Sequence, residues 1–318
     1  MVAVLLLFLQ VTSLDVLDDL YRRGQFQDVA AQARDLLRRT PGNADLLTRL
    51  GAAQFRLGQV NEAEQRFREA LVSSPGHAQA QLGLGNALLT LGKASEAVSI
   101  FESLSIEAPS HLPLRRTLAR AYGEASRFAD AEALLETLVQ SDPKDADSWY
   151  ELGSLNYRNG YYAAALKALD TALGLSAQHL DARLHRAGAL DALGHVAEAE
   201  AEFQKLLKVP VSSTHPGLQL GYGQLLLQSG RNQEALSRFD QAIQLAPESP
   251  DAQLGRARAL LRLGRVNEAT QAAERANHLS PEAAPPHVLL VKLYRLAGNE
   301  ELAAREASWL RDYGRKTQ

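Results

Sequence analysis

The sequence predicts an all-α fold, a solenoid built from tandem helix–turn–helix units. Composition is the first reason: 46% of the 318 residues are apolar but only 6% are aromatic, which suits closely packed helices better than strands. An internal repeat is the second reason, because periods of roughly 20–50 residues are typical of stacked units. Alanine recurs at intervals of 34 residues, with a single interval of 36, at Ala63, Ala97, Ala131, Ala165, Ala199, Ala235, Ala269 and Ala303.

The second helix of each unit is predicted to carry one continuous apolar stripe. A column four residues after the alanines consists of Phe67, Phe101, Leu135, Leu169, Phe203, Phe239, Ala273 and Ala307. Three residues further on, another column consists of Ala70, Leu104, Leu138, Ala172, Leu206, Ala242, Ala276 and Leu310. Positions i, i+4 and i+7 lie on one face of a helix, so these columns predict the buried face.

The first helix of most units carries a small residue directly after an apolar one. The pairs are Leu50-Gly51, Leu84-Gly85, Leu118-Ala119, Leu152-Gly153 and Tyr222-Gly223. Glycine inside a helix costs about 1 kcal/mol relative to alanine, so its recurrence requires a packing reason. We expect the paired helix to approach the first helix closely at this point.

Glycine and proline separate the predicted helices. A glycine, which can end a helix in the left-handed conformation without strain, follows the first helix at Gly24, Gly58, Gly92, Gly160, Gly194, Gly230, Gly264 and Gly298. A proline closes most units, at Pro41, Pro75, Pro109, Pro143, Pro247 and Pro281. Because proline ends a helix, the next unit is expected to begin there.

The period, the apolar–small pair, the alanine and phenylalanine columns and the closing proline together resemble the tetratricopeptide repeat. Nine units can be counted between about Gln10 and about Tyr313. The resemblance implies a right-handed superhelix in which the first helices line a concave groove and the second helices form the outer wall. It also implies that the groove holds a peptide or protein segment, so that the chain acts as a non-catalytic scaffold or adaptor.

Some units depart from the family pattern. The fifth has Ala177 in place of the closing proline, and in the sixth Arg186 stands at an apolar position, followed by a lengthened linker at residues 208–216. We therefore expect residues 14–313 to form the solenoid, with an irregular linker at 208–216 and a polar tail at 314–318.

First-helix residues outside the core columns are the candidates for contact with a partner. Arginine and tyrosine are common in binding hot spots, and arginine pairs with carboxylates in a bidentate manner. The fourth and fifth units combine these residue types, which predicts a surface for an acidic or carboxylate-bearing peptide: Arg116, Arg120, Tyr150, Ser154, Tyr157 and Arg158. A weaker continuation consists of Gln224, Arg258 and Lys292. Asn86 occupies one position of the family's carboxylate clamp, but Leu82 replaces the cation that this clamp requires.

The two ends of the chain each leave two interpretations open. Residues 1–13 are apolar and are either a signal peptide or an N-terminal cap, so that a cytoplasmic and an exported or periplasmic location are both open. This run is shorter than the ~20 residues of a membrane span, so no transmembrane segment is expected. At the other end, Trp309 interrupts a polar column. Trp309 and Tyr313 either cap the last unit or mediate weak self-association.

Catalysis, cofactors and metals are not predicted. The chain has no cysteine, and its eight histidines show no metal-ligand spacing. A net charge of −3 and a pI of about 6.3 argue against nucleic-acid binding, although helical-repeat nucleic-acid binders remain an alternative. A further alternative is a component of a bacterial envelope, secretion or polysaccharide-export assembly.

Overall fold

The structure, a computed structural model, describes residues 14–316, which contain helices, turns and no strand. The predicted signal peptide or cap at residues 1–13 lies outside the described residues. Within the described range, no helix is both long enough and apolar enough to serve as a membrane span.

The helices are numbered in chain order, and α1 is helical from residue 14 to residue 22. The others are α2 (Phe26–Leu37), α3 (Ala44–Arg56), α4 (Val60–Ser73), α5 (Ala78–Thr90), α6 (Ala94–Glu107), α7 (Leu112–Glu124), α8 (Phe128–Ser141), α9 (Ala146–Arg158), α10 (Tyr162–Leu175), α11 (Leu180–Ala192), α12 (Val196–Leu207), α13 (Pro210–Ser213), α14 (Pro216–Gln228), α15 (Asn232–Leu245), α16 (Pro250–Arg262), α17 (Val266–Leu279), α18 (Ala284–Leu296) and α19 (Glu300–Lys316).

These helices form consecutive pairs, which confirms the predicted helix–turn–helix units. The first helices of the pairs, called A helices, are α1, α3, α5, α7, α9, α11, α14, α16 and α18. The second helices, called B helices, are α2, α4, α6, α8, α10, α12, α15, α17 and α19. The short helix α13 lies in the linker expected at 208–216, and α19 continues to Lys316, so residues 314–316 of the expected tail are helical.

The contacts divide the chain into two compact units, each of which contains several of the helix–turn–helix repeats. The first unit ends at Leu155 and the second begins at Asn156, so that the boundary falls inside α9. In the first unit, Phe67 and Phe101 are buried in one apolar cluster with alanines and leucines of α3 to α7. In the second unit, Phe203 and Phe239 are buried in another cluster that reaches from α11 to α19. All eight alanines of the repeat column are buried, as the sequence predicts.

The turn between the helices of a pair uses a left-handed residue. All eight predicted glycines have a positive φ, between +73° and +84°. The fourth unit has no glycine here, and Ser126 takes the same conformation with φ +60°. It is the only non-glycine residue with a positive φ in the part of the chain that the structure describes.

The small residues of the A helices allow the phenylalanine rings to approach the helix backbone, as predicted. A Cβ atom at Gly51 would lie 2.9 Å from the ring of Phe67 in the partner helix. A second set of glycines contacts the same rings from the following helix–turn–helix repeat. The sequence pattern does not predict this contact. A Cβ atom at Gly83 would lie 2.4 Å from Phe67, and one at Gly255 would lie 2.4 Å from Phe239. Each of these two rings is thus held between two A helices.

An N-cap residue stands at the start of most A helices, two residues after the closing position of the previous unit. In five helices its side chain accepts a hydrogen bond from a backbone N–H three residues further on, which satisfies a group that the helix leaves free. The capping residues are Asn43, His77, His111, His179 and Ser249. Three of the eight histidines therefore serve to start helices.

The A helices form the more closely packed side of each unit. Several consecutive A helices touch one another, as α3 and α5 do in the first unit and α11, α14, α16 and α18 do in the second. Within either unit, described B helices make no more than marginal contact with one another. A cleft of about 460 Å³ separates α4 from α6, and Arg68 bridges it to Glu96 at 2.9 Å. The A-helix side of a unit is therefore its concave side.

Candidate functional site

The ninth position of the A helices forms a column on the concave side of each unit. In the second unit this column contains Gln224, Arg258 and Lys292, all exposed. None of the three side chains forms a hydrogen bond or ion pair with another described residue. In the first unit, Arg120 is equally exposed and unpaired within the described chain, while Asn86 is half-buried. These positions are the ones that the sequence predicts as groove-lining.

Arg116 differs from these residues because it has an internal partner. Its guanidinium lies 2.6 Å from the carboxylate of Asp145, at the start of the next A helix, and 3.1 Å from Asp147. Burial acts to raise the pKa of Asp145, but hydrogen bonds from Ser148 and Arg116 outweigh it and the pKa is lowered. Arg116 therefore holds two consecutive helix–turn–helix repeats together, and its positive charge is already balanced.

The predicted arginine–tyrosine surface is divided between the two compact units. Arg116, Arg120, Tyr150 and Ser154 belong to the first unit, and Tyr150 and Ser154 are half-buried there. Tyr157 and Arg158 belong to the second unit, where Arg158 is exposed. The ring of Tyr157 packs edge-on against Tyr162, with 5.6 Å between centroids, and burial raises the pKa of its hydroxyl.

A concave pocket of about 450 Å³ lies on the A-helix face of α14, α16 and α18. Its lining residues are Leu227, Arg258, Leu261, Arg262, Leu289, Lys292 and Leu296. The sequence predicts two of these, Arg258 and Lys292, but not the leucines around them. Arg262 donates a hydrogen bond of 2.6 Å to the carbonyl of Leu227, so it is partly committed to the fold. The pocket combines an apolar floor with two free cations.

The aromatic residues near the C-terminus pack within the chain. The ring of Trp309 stacks on His287 with 3.6 Å between centroids, and Tyr313 stacks on Trp309 at 5.0 Å. His287 is 4% exposed, and its ring nitrogens contact the carboxylate of Glu306 at 2.5 Å and the carbonyl of Pro281 at 3.0 Å. These contacts attach Trp309 to the preceding helix, and the role of Trp309 and Tyr313 as a cap stays a prediction. Self-association through them stays a prediction.

The described histidines and acidic residues form no cluster of three or more that could hold a metal ion. Four histidines already have contacts within the chain. A ring nitrogen caps an A helix in His77, His111 and His179, and His287 contacts Glu306.

Comparison with known proteins gives the family. The chain matches the sequence pattern described as tetratricopeptide repeat over residues 17–76, 49–111, 116–179, 157–212 and 226–285. The chain belongs to the tetratricopeptide repeat family. Proteins with this fold typically act as non-catalytic scaffolds for other proteins. Among curated proteins, a search found no matching sequence.

Several solved structures resemble this tetratricopeptide repeat protein. A tetratricopeptide repeat protein from Parabacteroides merdae has a TM-score of 0.68 at 19% identity, over 78% of this chain and 99% of that one. Human IFIT1, solved as a dimer with m7Gppp-AAAA, has a TM-score of 0.61 at 16% identity, over 90% and 72%. PilW, a type IV pilus biogenesis factor, has a TM-score of 0.55 at 21% identity, over 63% and 92%. At these identities, the likeness concerns the fold alone.

Proposed function

We propose that this tetratricopeptide repeat protein is a scaffold that holds an extended segment of a partner protein against the A helices. The observation that carries the proposal is the exposure of Arg120 in the first unit and of Gln224, Arg258 and Lys292 in the second, with no hydrogen bond or ion pair to any described residue. Several other arginines are engaged in ion pairs within the chain, as Arg231 is with Glu200 and Glu234. Unpaired cations on a concave surface are therefore available to a ligand.

The chemistry of the second unit favours a segment that carries both acidic and apolar side chains. Arg258 and Lys292 offer charge to carboxylates, while Leu261, Leu289 and Leu296 offer apolar surface beside them. Arginine is enriched among the residues that supply most of the binding energy at protein interfaces, and the buried centre of an interface is more apolar than its rim. Lysine and arginine also steer an acidic partner towards the face before contact.

In the first unit, Arg120 is the residue on which the proposal depends. Arg116 is ion-paired with Asp145 and Asp147, so its main contribution is to the stability of the fold and not to the binding of a ligand. A charge reversal at Arg120 alone therefore tests binding without disturbing the ion pair of Arg116 that joins two consecutive repeats.

Site-specific photo-crosslinking in cells tests the proposed face. A photoreactive phenylalanine analogue at Gln224 should capture a discrete partner, whereas the same analogue at the exposed outer residue Lys205 should not. The double substitution Arg258→Glu with Lys292→Glu should reduce capture from residue 224 by about tenfold or more, because each reversed charge repels an acidic segment.

The matched control is Lys205→Glu with Lys208→Glu, which reverses the same charge on exposed residues at the end of α12. This variant should leave capture from residue 224 unchanged. Equal loss in both double variants would show that net charge alone matters, and capture from residue 205 as strong as from residue 224 would place binding on the outer face. Either result overturns the proposal.

A further inference from the structure

A second cavity, of about 340 Å³, opens on the A-helix side of the second unit. It lies between α11 and α14, beside the end of α9 and the start of α10. Its polar and aromatic lining includes Tyr157, Tyr162, Asp181, His185, Asp191 and His215. Its described lining contains two aspartates and no lysine or arginine, and the cavity is named here the Asp191 pocket. Its charge is thus opposite to that of the face around Arg258 and Lys292.

Asp191 supplies a carboxylate that has no partner among the described residues. It is half-buried, and its side chain forms no hydrogen bond or ion pair with any described residue. Burial raises the pKa of this carboxyl because the charged form loses contact with water. A partly desolvated carboxylate without a cation is costly, and a ligand that brings one would relieve the cost.

Aromatic rings form one wall of the Asp191 pocket. Tyr157 packs edge-on against Tyr162 at 5.6 Å and against His185 at 5.7 Å. Gly188 leaves the room for this arrangement, because a Cβ atom there would lie 2.8 Å from the hydroxyl oxygen of Tyr157. Aromatic faces attract cations through their quadrupole, and this attraction strengthens where water is excluded.

His215 adds a second unsatisfied polar group. It occupies the N-cap column in which His77, His111 and His179 cap their helices, but its side chain caps nothing. Its Nδ1 is buried without a hydrogen-bond partner among the described residues, and its Nε2 lies 3.7 Å from Asp181. A Cβ atom at residue 217 would lie 3.1 Å from the ring, so Gly217 makes room for this position.

From this geometry we infer that the Asp191 pocket binds the guanidinium group of an arginine side chain presented by the partner segment. The carboxylates of Asp191 and Asp181 balance its charge, and the rings of Tyr157 and Tyr162 pack against its plane. Arginine fits better than lysine because its flat, multi-donor group can stack and hydrogen-bond at the same time. The source of the arginine rests on the proposed function, whereas the pocket itself can be tested without a partner.

The test uses N-acetyl-arginine-N-methylamide and its neutral citrulline counterpart, which has the same shape without the charge. Methyl NMR spectra of the full chain would be followed at Ala192, Leu184 and Leu220, which line the pocket. Arginine amide should cause saturable shifts at these methyl groups, and the citrulline amide should bind at least about tenfold more weakly. Lysine amide should fall between the two.

Asp191→Asn should weaken arginine amide binding by about tenfold or more, because it removes the charge and keeps the shape. Asp251→Asn, at an exposed aspartate at the start of α16, is the matched control and should leave binding unchanged. Unchanged methyl shifts outside the pocket verify that each variant is folded. If Asp191→Asn were unfolded, Asp181→Asn and the arginine–citrulline comparison would still decide the question.

Equal binding of arginine and citrulline amides, or equal binding by wild type and Asp191→Asn, overturns the inference. Failure of the small-molecule test leaves the crosslinking test of the Arg258 face unaffected. Gln224 also lines the Asp191 pocket, so the charge reversal and not capture alone tests the other face. Saturable arginine binding together with capture that Arg258→Glu with Lys292→Glu leaves unreduced would keep the pocket and reject the scaffold face proposed for α14, α16 and α18.

Discussion

Phe67 packs directly onto the backbone of Gly83, so closely that a Cβ atom at residue 83 would lie 2.4 Å from its ring. The ring is almost fully buried and cannot move away without disturbing the neighbouring helices. Contact between consecutive repeats thus depends on a residue with no side chain, and on one particular ring in the preceding unit.

Gly83→Ala is therefore expected to lower the free energy of unfolding by about 1–2 kcal/mol, since the cost of overpacking exceeds the gain in helix propensity. Gly174→Ala is the matched control, because the Cβ position at this glycine in α10 has open space around it. That variant should be stabilised by about 0.5–1 kcal/mol. Denaturant unfolding measures both, and a stabilised Gly83→Ala would contradict the packing argument.

Ser126→Gly should stabilise the fourth unit. Ser126 has a φ of +60°, a conformation that costs a residue with a Cβ atom about 1 kcal/mol and costs glycine little. We expect the free energy of unfolding to rise by about 0.5–1 kcal/mol. Gly160→Ala, at the same turn of the next unit, should lower it by a similar amount, since no atom crowds that position. Equal midpoints for wild type and Ser126→Gly would show that the turn is unstrained.

Arg116→Glu and Arg120→Glu should separate stability from binding. Breaking the partly buried pair with Asp145 should cost about 2–3 kcal/mol of unfolding free energy. Arg120 is exposed and unpaired among the described residues, so its reversal should change stability by less than about 0.5 kcal/mol. Thermal unfolding checks the first statement, and capture of an acidic partner segment checks the effect of Arg120→Glu. Loss of stability in both variants would refute the distinction.

Asp191→Asn should be more stable than wild type at pH 7. Burial places the folded-state pKa of this carboxyl above its ordinary value of 3.8, so the ionised form destabilises the folded state at higher pH. As the pH falls through the raised pKa and below 3.8, both states become protonated and the advantage of the variant disappears. Unfolding measured from pH 7 to pH 3 tests this. A variant less stable than wild type at pH 7 would mean that the carboxylate has an internal partner.

Trp309→Ala should lower the free energy of unfolding by about 2–3 kcal/mol, because it removes a ring stacked between His287 and Tyr313. Sedimentation of the wild type at several concentrations distinguishes the two roles of this residue. A cap predicts a monomer throughout. Concentration-dependent sedimentation that Trp309→Ala abolishes would instead support association between copies of the chain.

Features that recur at fixed spacing could be predicted from the sequence. The glycine turns, the buried alanine column and the approach of Phe67 to Gly51 all follow from the period and the properties of each residue type. The contact of Phe67 with Gly83 was missed, because only some units carry a glycine at that position and the ring belongs to the preceding unit.

Partnerships between particular side chains could not be predicted in this way. Arg116 and Asp145 lie 29 positions apart, and nothing in the repeat pattern indicates that one arginine finds an aspartate while Arg120, one turn later, does not. The Asp191 pocket was missed for a related reason. It arises where the sixth repeat departs from the pattern, and an alignment of the repeats predicts only the features that they share.

The uncapped position of His215 has a consequence for how a repeat array can acquire a specific ligand. Where the units are regular, the polar residue at each junction is occupied with starting the next helix, and five units use it in this way. Two extra residues lie between the sixth and seventh repeats, and there the side chain of His215 does not cap the next helix. Irregular spacing, more than any special residue type, is thus where selectivity can enter an otherwise generic scaffold.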